Sequence, residues 1–164
     1  MKAIYPGSFD PITLGHIDII KRALAICGDG QLVIAVANNA KKKHWLTISE
    51  RVELIHKVIQ NDSRISVVPV TGLLANYCHD NDIHMIIRGL RTSTDFDYEF
   101  QIHQVNSRLR PVETIFLPAI TNHIHFSSSI VRELHSHGAP ISDYVHPTTE
   151  AYLKNRAEEC LTIS

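Results

Sequence analysis

At 164 residues, with 44% hydrophobic and 20% charged side chains, the chain has the size and make-up of one globular domain with a real core. A formal net charge of −1, mixed in sign along the chain, offers no field to gather a nucleic-acid backbone or an anionic membrane, so neither is expected as a partner. No apolar run nears the roughly 20 residues of a bilayer span, no basic-then-apolar leader opens the chain, and Cys27, Cys78 and Cys160 are too scattered for a disulfide framework; a cytoplasmic protein is expected.

The first predicted element is a strand, Ala3–Tyr5, followed at once by YPGSFDPITLGH (Tyr5–His16), which has two glycines, two prolines and no continuous apolar face. A loop so composed between a strand and a helix is the kind shaped around a ligand. Helical periodicity then sets in, with Ile17, Ile20, Leu24 and Cys27 on one stripe and Asp18, Lys21 and Arg22 off it. Leu32–Ala37 reads as a second strand, and NNAKKKHW follows it. Thr47 and Glu50 have capping-box spacing ahead of a stripe of Val52, Ile55 and Ile59. Strand Ile65–Val70, a short helix Leu73–Asp80 and strand Met85–Ile87 come next. A long helix, Asp95–Leu109, precedes a fifth strand, Thr114–Leu117, and helices Ser128–His135 and Thr148–Ala157 close the chain.

Strands alternating with helices predict an α/β fold: a single-domain, doubly wound, five-stranded parallel sheet, Rossmann-like, with helices on both faces. The domain is expected over residues 1–157, with 158–164 as a tail prone to fray. With strand order 3-2-1-4-5, the ligand crevice lies between strands one and four, at their carboxyl ends. That would bring PGSFDPITLGH and RGLRTSTD face to face.

Each loop carries groups suited to phosphate. In TLGH, Gly15 allows close backbone approach and His16 sits in the first helical turn, where free N–H groups and the helix dipole attract anions. Alone, TxGH also describes a turn glycine and a polar helix start. Arg88 and Arg91 emerge at a strand end, and their forks match phosphate geometry; the bland alternative is pairing with Asp95 or Glu99. SSSIVRE (Ser127–Glu133) sets three hydroxyls and Arg132 at a helix start, as one N-cap or as a phosphate cradle. Neither GxGxxG nor GxxxxGK[ST] occurs. Among eleven histidines, His123-x-His125 and His135-x-His137 are the only close pairs, a poor basis for a zinc site.

In order, YPGSFDPITLGHIDII, KKKHWLTISERVELI, LLANY, IIRGLRTSTDFDYEFQI and SSSIVRE resemble the bacterial phosphopantetheine adenylyltransferases, within the (H/T)xGH nucleotidyltransferase superfamily. The resemblance spans about Lys2 to Lys154, and RGLR with DFDYE separates this family from its siblings. It implies transfer of AMP from ATP to 4′-phosphopantetheine with Mg²⁺, giving dephospho-coenzyme A and pyrophosphate by direct in-line attack. By the same resemblance, His16 stabilises the transition state and Lys42 contacts the reacting phosphates. Ser8 touches both substrates, Phe9 makes a backbone contact to ATP, and Leu74 and Arg88 bind the acceptor. Gly89, Leu90, Arg91, Glu99 and the segment His123, Ile124, His125, Phe126, Ser127, Ser128 and Ser129 line the ATP site. Coenzyme A is implied as a feedback ligand. Departures from the family are Ala40, where a proline is usual in the lysine loop, and HIHF in the segment before the serines, which commonly carries an aromatic residue. The remaining alternatives are a sibling transferase using another phosphate acceptor and a nucleotide-binding module without catalysis.

On helix Asp95–Leu109, Tyr98, Ile102, Val105 and Leu109 form one stripe, and Phe96, Phe100 and His103 lie opposite. One can cover the sheet while the other needs a further partner; the resemblance implies other subunits, in a homohexamer.

Overall fold

Strand and helix alternate from β1 (Lys2–Gly7) through α1 (Leu14–Cys27), β2 (Gln31–Ala37), α2 (Ile48–Ile59), β3 (Ile65–Val70), α3 (Leu74–Asp80), β4 (Met85–Leu90), α4 (Ser93–Leu109) and β5 (Glu113–Pro118) to α5 (Ser128–Ser136) and α6 (Pro147–Thr162). This computed structural model describes residues 1–37, 43–60, 62–120 and 126–162, with side chains as far as 157. The strands form one sheet in the order β3-β2-β1-β4-β5, as expected, and every pairing is parallel.

The central strands are buried on both faces and alternate strictly between two clusters. Ala3, Tyr5, Leu32, Ile34, Val36 and Ile87 pack with Ile19, Ile20, Leu24, Leu54, Ile55 and Leu153 from α1, α2 and α6. Ile4, Val33, Ala35 and Ile86 turn the other way, toward Cys78 of α3 with Ile83 and Val112.

Helix starts follow from local chemistry. Thr47 and Glu50 form the expected capping box, Thr47 Oγ1 accepting from Glu50 N at 3.2 Å and Glu50 Oε2 from Thr47 N at 2.6 Å. The apolar stripe of α1 is the expected one, widened by Ile19 and Ala23, whereas that of α2 is turned by about one residue from the sequence reading. On α1 the buried set is Ile19, Ile20, Ala23, Leu24 and Cys27, with Ile17 half-buried. On α2 it is Arg51, Leu54, Ile55 and Val58, with Val52 and Ile59 only half-buried. A charged residue thus occupies a core position. The α6 backbone is helical over Pro147–Thr162, longer than the Thr148–Ala157 read from the sequence.

Helix α4 is unlike the others in burying no apolar residue: Asn106 is its only buried residue. Phe96 and His103 lean on Phe116 of β5, with centroids 5.5 and 6.3 Å apart, and Phe100 stacks on Phe96. The opposite stripe, Tyr98, Ile102, Val105 and Leu109, is 36–62% exposed.

Candidate active site

The crevice arises from unequal strand pairing. β4 pairs with β5 along its whole length, from Met85↔Glu113 to Leu90↔Pro118, but with β1 only at Ala3↔Met85 and Ile4↔Ile86. Beyond Ile4 and Ile86 the two central strands part. Arg88, Gly89 and Leu90 therefore lie within β4, not in the loop after it, held there by β5. The carbonyls that β1 no longer gives to a neighbour need donors, and Arg88 Nη1 supplies one to Pro6 O at 3.0 Å. The same guanidinium forks onto Glu99, Nε to Oε2 at 2.7 Å and Nη2 to Oε1. Arg91 pairs with Asp95 through both N–H and Nε, at 3.0 and 3.2 Å. Both arginines thus carry the ion pairs weighed from the sequence, while still lining a crevice of about 540 Å³.

Opposite them stands the N-terminus of α1. Thr13 caps it with His16 at the third helical position, an arrangement usually made with Glu or Gln. Thr13 N donates to His16 Nδ1 at 3.0 Å. A backbone N–H can only donate, so Nδ1 is the acceptor and the neutral ring carries its proton on Nε2. Burial, aided by the Arg91 charge, pulls the His16 pKa from 6.5 down to about 4. The ring is therefore a neutral donor at pH 7. It is backed by Phe9, edge-to-face at 5.0 Å; Phe9 is fully buried with φ 48° and also packs on Tyr5 at 5.4 Å. A β-carbon on Gly7 would press into that Phe9 ring at 2.9 Å.

The first turn holds fewer free donors than its sequence suggests. Leu14 N bonds Tyr144 O, His16 N bonds Thr13 Oγ1, and Ile17 N bonds Thr13 O. That leaves the Gly15 N–H to face a ligand from the crevice wall. A β-carbon at Gly15 would sit 3.4 Å from the Phe126 carbonyl, in ordinary van der Waals contact with the segment that follows.

The serine helix is likewise partly engaged. Ser127 Oγ caps Ile130 N at 3.2 Å, Ser128 Oγ donates to Pro11 O at 2.8 Å, and Ser129 Oγ accepts from Arg132 Nη2 at 3.1 Å. Ser128 has therefore given its hydroxyl proton to the fold, whereas Ser127 and Ser129 retain theirs. A cradle here relies on those two hydroxyls and on α5 backbone N–H groups.

Asp10, which the sequence reading did not single out, ties the walls together. It is 2% exposed, and its carboxylate accepts from Trp45 N and Leu46 N, both at 2.8 Å. Arg132 Nη1 donates to its carbonyl at 2.6 Å, and His44 Nδ1 lies 3.5 Å from Oδ2. Charge-assisted bonds of this kind contribute about 1.5–3 kcal/mol each, enough to hold residues 44–46 against the first loop.

Of the residues expected at the site, Ser8, His16, Arg88, Gly89, Leu90, Arg91, Glu99, Phe126, Ser127, Ser128 and Ser129 all line this crevice. Phe9 does not; its side chain is core, which leaves only its backbone for a ligand. Leu74 is not on the wall either, but sits half-buried against the core beneath α3. Lys42, His123, Ile124 and His125, like Ala40, lie outside the described residues. Asp10, Tyr98, Lys43 and His44 line the crevice without having been expected. A second cavity, about 730 Å³ between α5, α6 and residues 43–45, shares Lys43, His44 and Arg132 but holds none of the expected site residues. Among the described residues no group of three or more His, Cys, Asp or Glu side chains could hold a metal ion.

Comparison with known proteins agrees with this geometry. The cytidylyltransferase-like family model matches residues 4–134. A phosphopantetheine adenylyltransferase of Coxiella burnetii (strain RSA 493 / Nine Mile phase I) is 43% identical over 158 residues, covering 96% of this chain and 98% of that protein. One from Thermotoga neapolitana is 39% identical over 160 residues, covering 97% and 98%. A crystal structure described as "a Putative Nicotinate-nucleotide Adenylyltransferase from Vibrio parahaemolyticus" superposes with a TM-score of 0.67 over 94% of this chain and 91% of that one. At 20% identity it bears on the fold alone.

Proposed function

The chain belongs to the cytidylyltransferase-like family, and from that premise we propose that it is a phosphopantetheine adenylyltransferase, moving AMP from ATP to 4′-phosphopantetheine. Its near full-length similarity to relatives of that name supports the substrate pair. The observation that carries the chemistry is the meeting of a neutral His16 donor, Ser8, Arg88, Arg91 and Ser127–Ser129 around one crevice.

The acceptor phosphate attacks the α-phosphorus of ATP in line. A new P–O bond forms as the bond to the bridging oxygen of pyrophosphate breaks, and pyrophosphate leaves with that electron pair. The nucleophile is already an anion, so no proton need move and no covalent enzyme intermediate is required. What the protein supplies is positioning and charge stabilisation. Arg88 meets the acceptor phosphate, Arg91 and the α5 N-terminus meet the nucleotide, and His16 Nε2–H meets the charge gathering on the α-phosphate oxygens. Lys42, which follows β2 in the sequence, is the residue to which the family resemblance assigns contact with the same oxygens.

Magnesium enters with ATP. Asp10, Glu99 and Asp95 each already hold protein donors, a donor set suited to a cation carried mainly on the nucleotide's own phosphates. Its charge, when bound, offsets that of the phosphates. Coenzyme A, which contains the product, is a candidate feedback ligand of the same crevice. A cytoplasmic location suits this chemistry, and no described helix is long and apolar enough to cross a membrane.

Pyrophosphate release, measured with ATP and each acceptor in turn, tests the reading. Phosphopantetheine should support turnover and give dephospho-coenzyme A. Turnover with nicotinate mononucleotide but not phosphopantetheine would overturn it.

The assembly expected is a homohexamer, supported by the exposed stripe on α4. Light scattering should give a mass several times 18.5 kDa, and Ile102→Asp with Val105→Asp should lower it. A parent chain that stays monomeric at working concentration contradicts this part of the proposal.

A further inference from the structure

At the floor of the crevice stands a side chain with no role in the chemistry above. Tyr5 is the first residue of β1 beyond Ile4↔Ile86, the last pair with β4, so it sits where the sheet opens. It is 6% exposed and lines the crevice. Its ring packs edge-to-face on Phe9 at 5.4 Å, and Phe9 packs in turn on His16 at 5.0 Å. A β-carbon built on Gly89 would lie 3.7 Å from the Tyr5 hydroxyl oxygen, which places that oxygen beside β4. Among the described residues this hydroxyl has no hydrogen-bond partner. Nor is it sealed in: the unpartnered side-chain atoms closed off from solvent are His44 Nε2, Thr114 Oγ1 and Thr149 Oγ1. The phenol oxygen therefore keeps an opening, and the crevice supplies it.

A buried tyrosine ordinarily finds a partner for its O–H. Phenylalanine would fill the same space with no polar atom to desolvate, and the neighbouring Phe9 shows that this core accepts such a ring. Burial holds the phenol pKa above its ordinary 10.0, although the Arg88 and Arg91 charges pull it down. At pH 7 the group is thus a neutral donor, like His16 Nε2, and both rings are fixed against the one Phe9 ring. The residues that define its place, Gly89 directly and His16 through Phe9, are those that the adenylyl-transfer reading gives to the nucleotide.

We infer that the Tyr5 hydroxyl donates a hydrogen bond to an oxygen of the AMP moiety, on the ribose or the α-phosphate, and so holds the part of ATP that is transferred. The inference rests on the adenylyl-transfer reading above. It extends that reading to a residue whose ring belongs to the core and whose one polar side-chain atom belongs to the site. A merely structural tyrosine behaves differently, since its hydroxyl would matter to the fold and not to the ligand.

Tyr5→Phe removes the oxygen and keeps the ring, so it separates ligand contact from packing. By calorimetry the variant should bind ATP about 10-fold more weakly, the scale of one hydrogen bond to a substrate oxygen. Pyrophosphate, which lacks the AMP moiety, should bind as it does to the parent. Without ligand, the melting temperature should equal or exceed the parent's, because no bond within the protein is lost. Repeating the titrations with 2′-deoxy-ATP and 3′-deoxy-ATP assigns the oxygen. If the difference between parent and variant vanishes with one analogue, the acceptor is the hydroxyl which that analogue lacks; if it persists with both, the acceptor is the α-phosphate. A parent that binds ATP without adenylylating phosphopantetheine removes the reaction assigned above and leaves this test intact. Unchanged ATP affinity, equal weakening of pyrophosphate, or a ligand-free variant that melts below the parent would overturn the inference.

Discussion

Replacing His16 with alanine is expected to lower kcat by about two to three orders of magnitude while leaving ATP affinity little changed. The ring is set up to act on charge that appears only during reaction. Its Nδ1 is occupied by the Thr13 N–H, its Nε2 is left as a donor, and its low pKa keeps it neutral. Removal of one such preorganised donor typically costs about 3 kcal/mol, and a loss confined to the transition state falls on kcat. Since Thr13 Oγ1 can still cap His16 N, the helix start should largely survive, at a cost nearer 1 kcal/mol. Steady-state kinetics beside a calorimetric ATP titration separates the two effects. The pH profile gives a second check. A pKa held at about 4, below the unfolded 6.5, means that the ring's contribution to stability is full above pH 6.5 and drains as pH falls toward 4. Between pH 6 and 8 His16 should therefore add no inflection to kcat. A folded alanine variant with near-parent kcat would reduce His16 to a capping residue.

The second large effect is expected at Lys42. Lys41, Lys42 and Lys43 carry equal charge, so diffuse attraction would make them nearly interchangeable. Screening over roughly 8 Å at physiological ionic strength would blunt each exposed member alike. A dedicated contact behaves differently, because one ammonium within hydrogen-bond reach of the phosphates acts where water is excluded. The described residues on either side support such placement: Ala37 ends β2 at the crevice, and Lys43 and His44 line it. Lys42→Ala should thus lower kcat/KM by about two or more orders of magnitude, with milder losses for Lys41→Ala and Lys43→Ala. Three comparable losses, each fading as salt is added, would indicate a charged rim instead of a catalytic lysine.

The sheet order was legible because alternating strands and helices leave few topologies, and the odd composition of Tyr5–His16 marked the crevice. His16, Arg88 and Arg91 could be found because phosphate chemistry favours those side chains at strand ends and helix starts, whereas Ser8 came from the family resemblance alone. Asp10 and Arg51 were not legible. Both act on backbone groups more than 30 positions or about 14 to 43 positions away in sequence, and no local period records such a bond. Arg51 was further hidden by the apolar pattern of α2, which pointed to Val52. Leu74 was expected only from the family resemblance, because an apolar residue is equally at home in a core or a pocket and its local sequence distinguishes neither.

The Arg88–Glu99 and Arg91–Asp95 pairs bear on how selective the crevice can be. A phosphate arriving there does not meet two idle cations; it must share or take over guanidiniums that carboxylates already hold. Binding is thus an exchange of anions, whose net gain is the difference between two similar interactions. A small anion such as inorganic phosphate, gripping at one point, gains little by that exchange. A ligand long enough to engage both arginines along with the α1 and α5 helix starts gains repeatedly from a single docking event. Discrimination by length, more than by charge, is what such a crevice imposes.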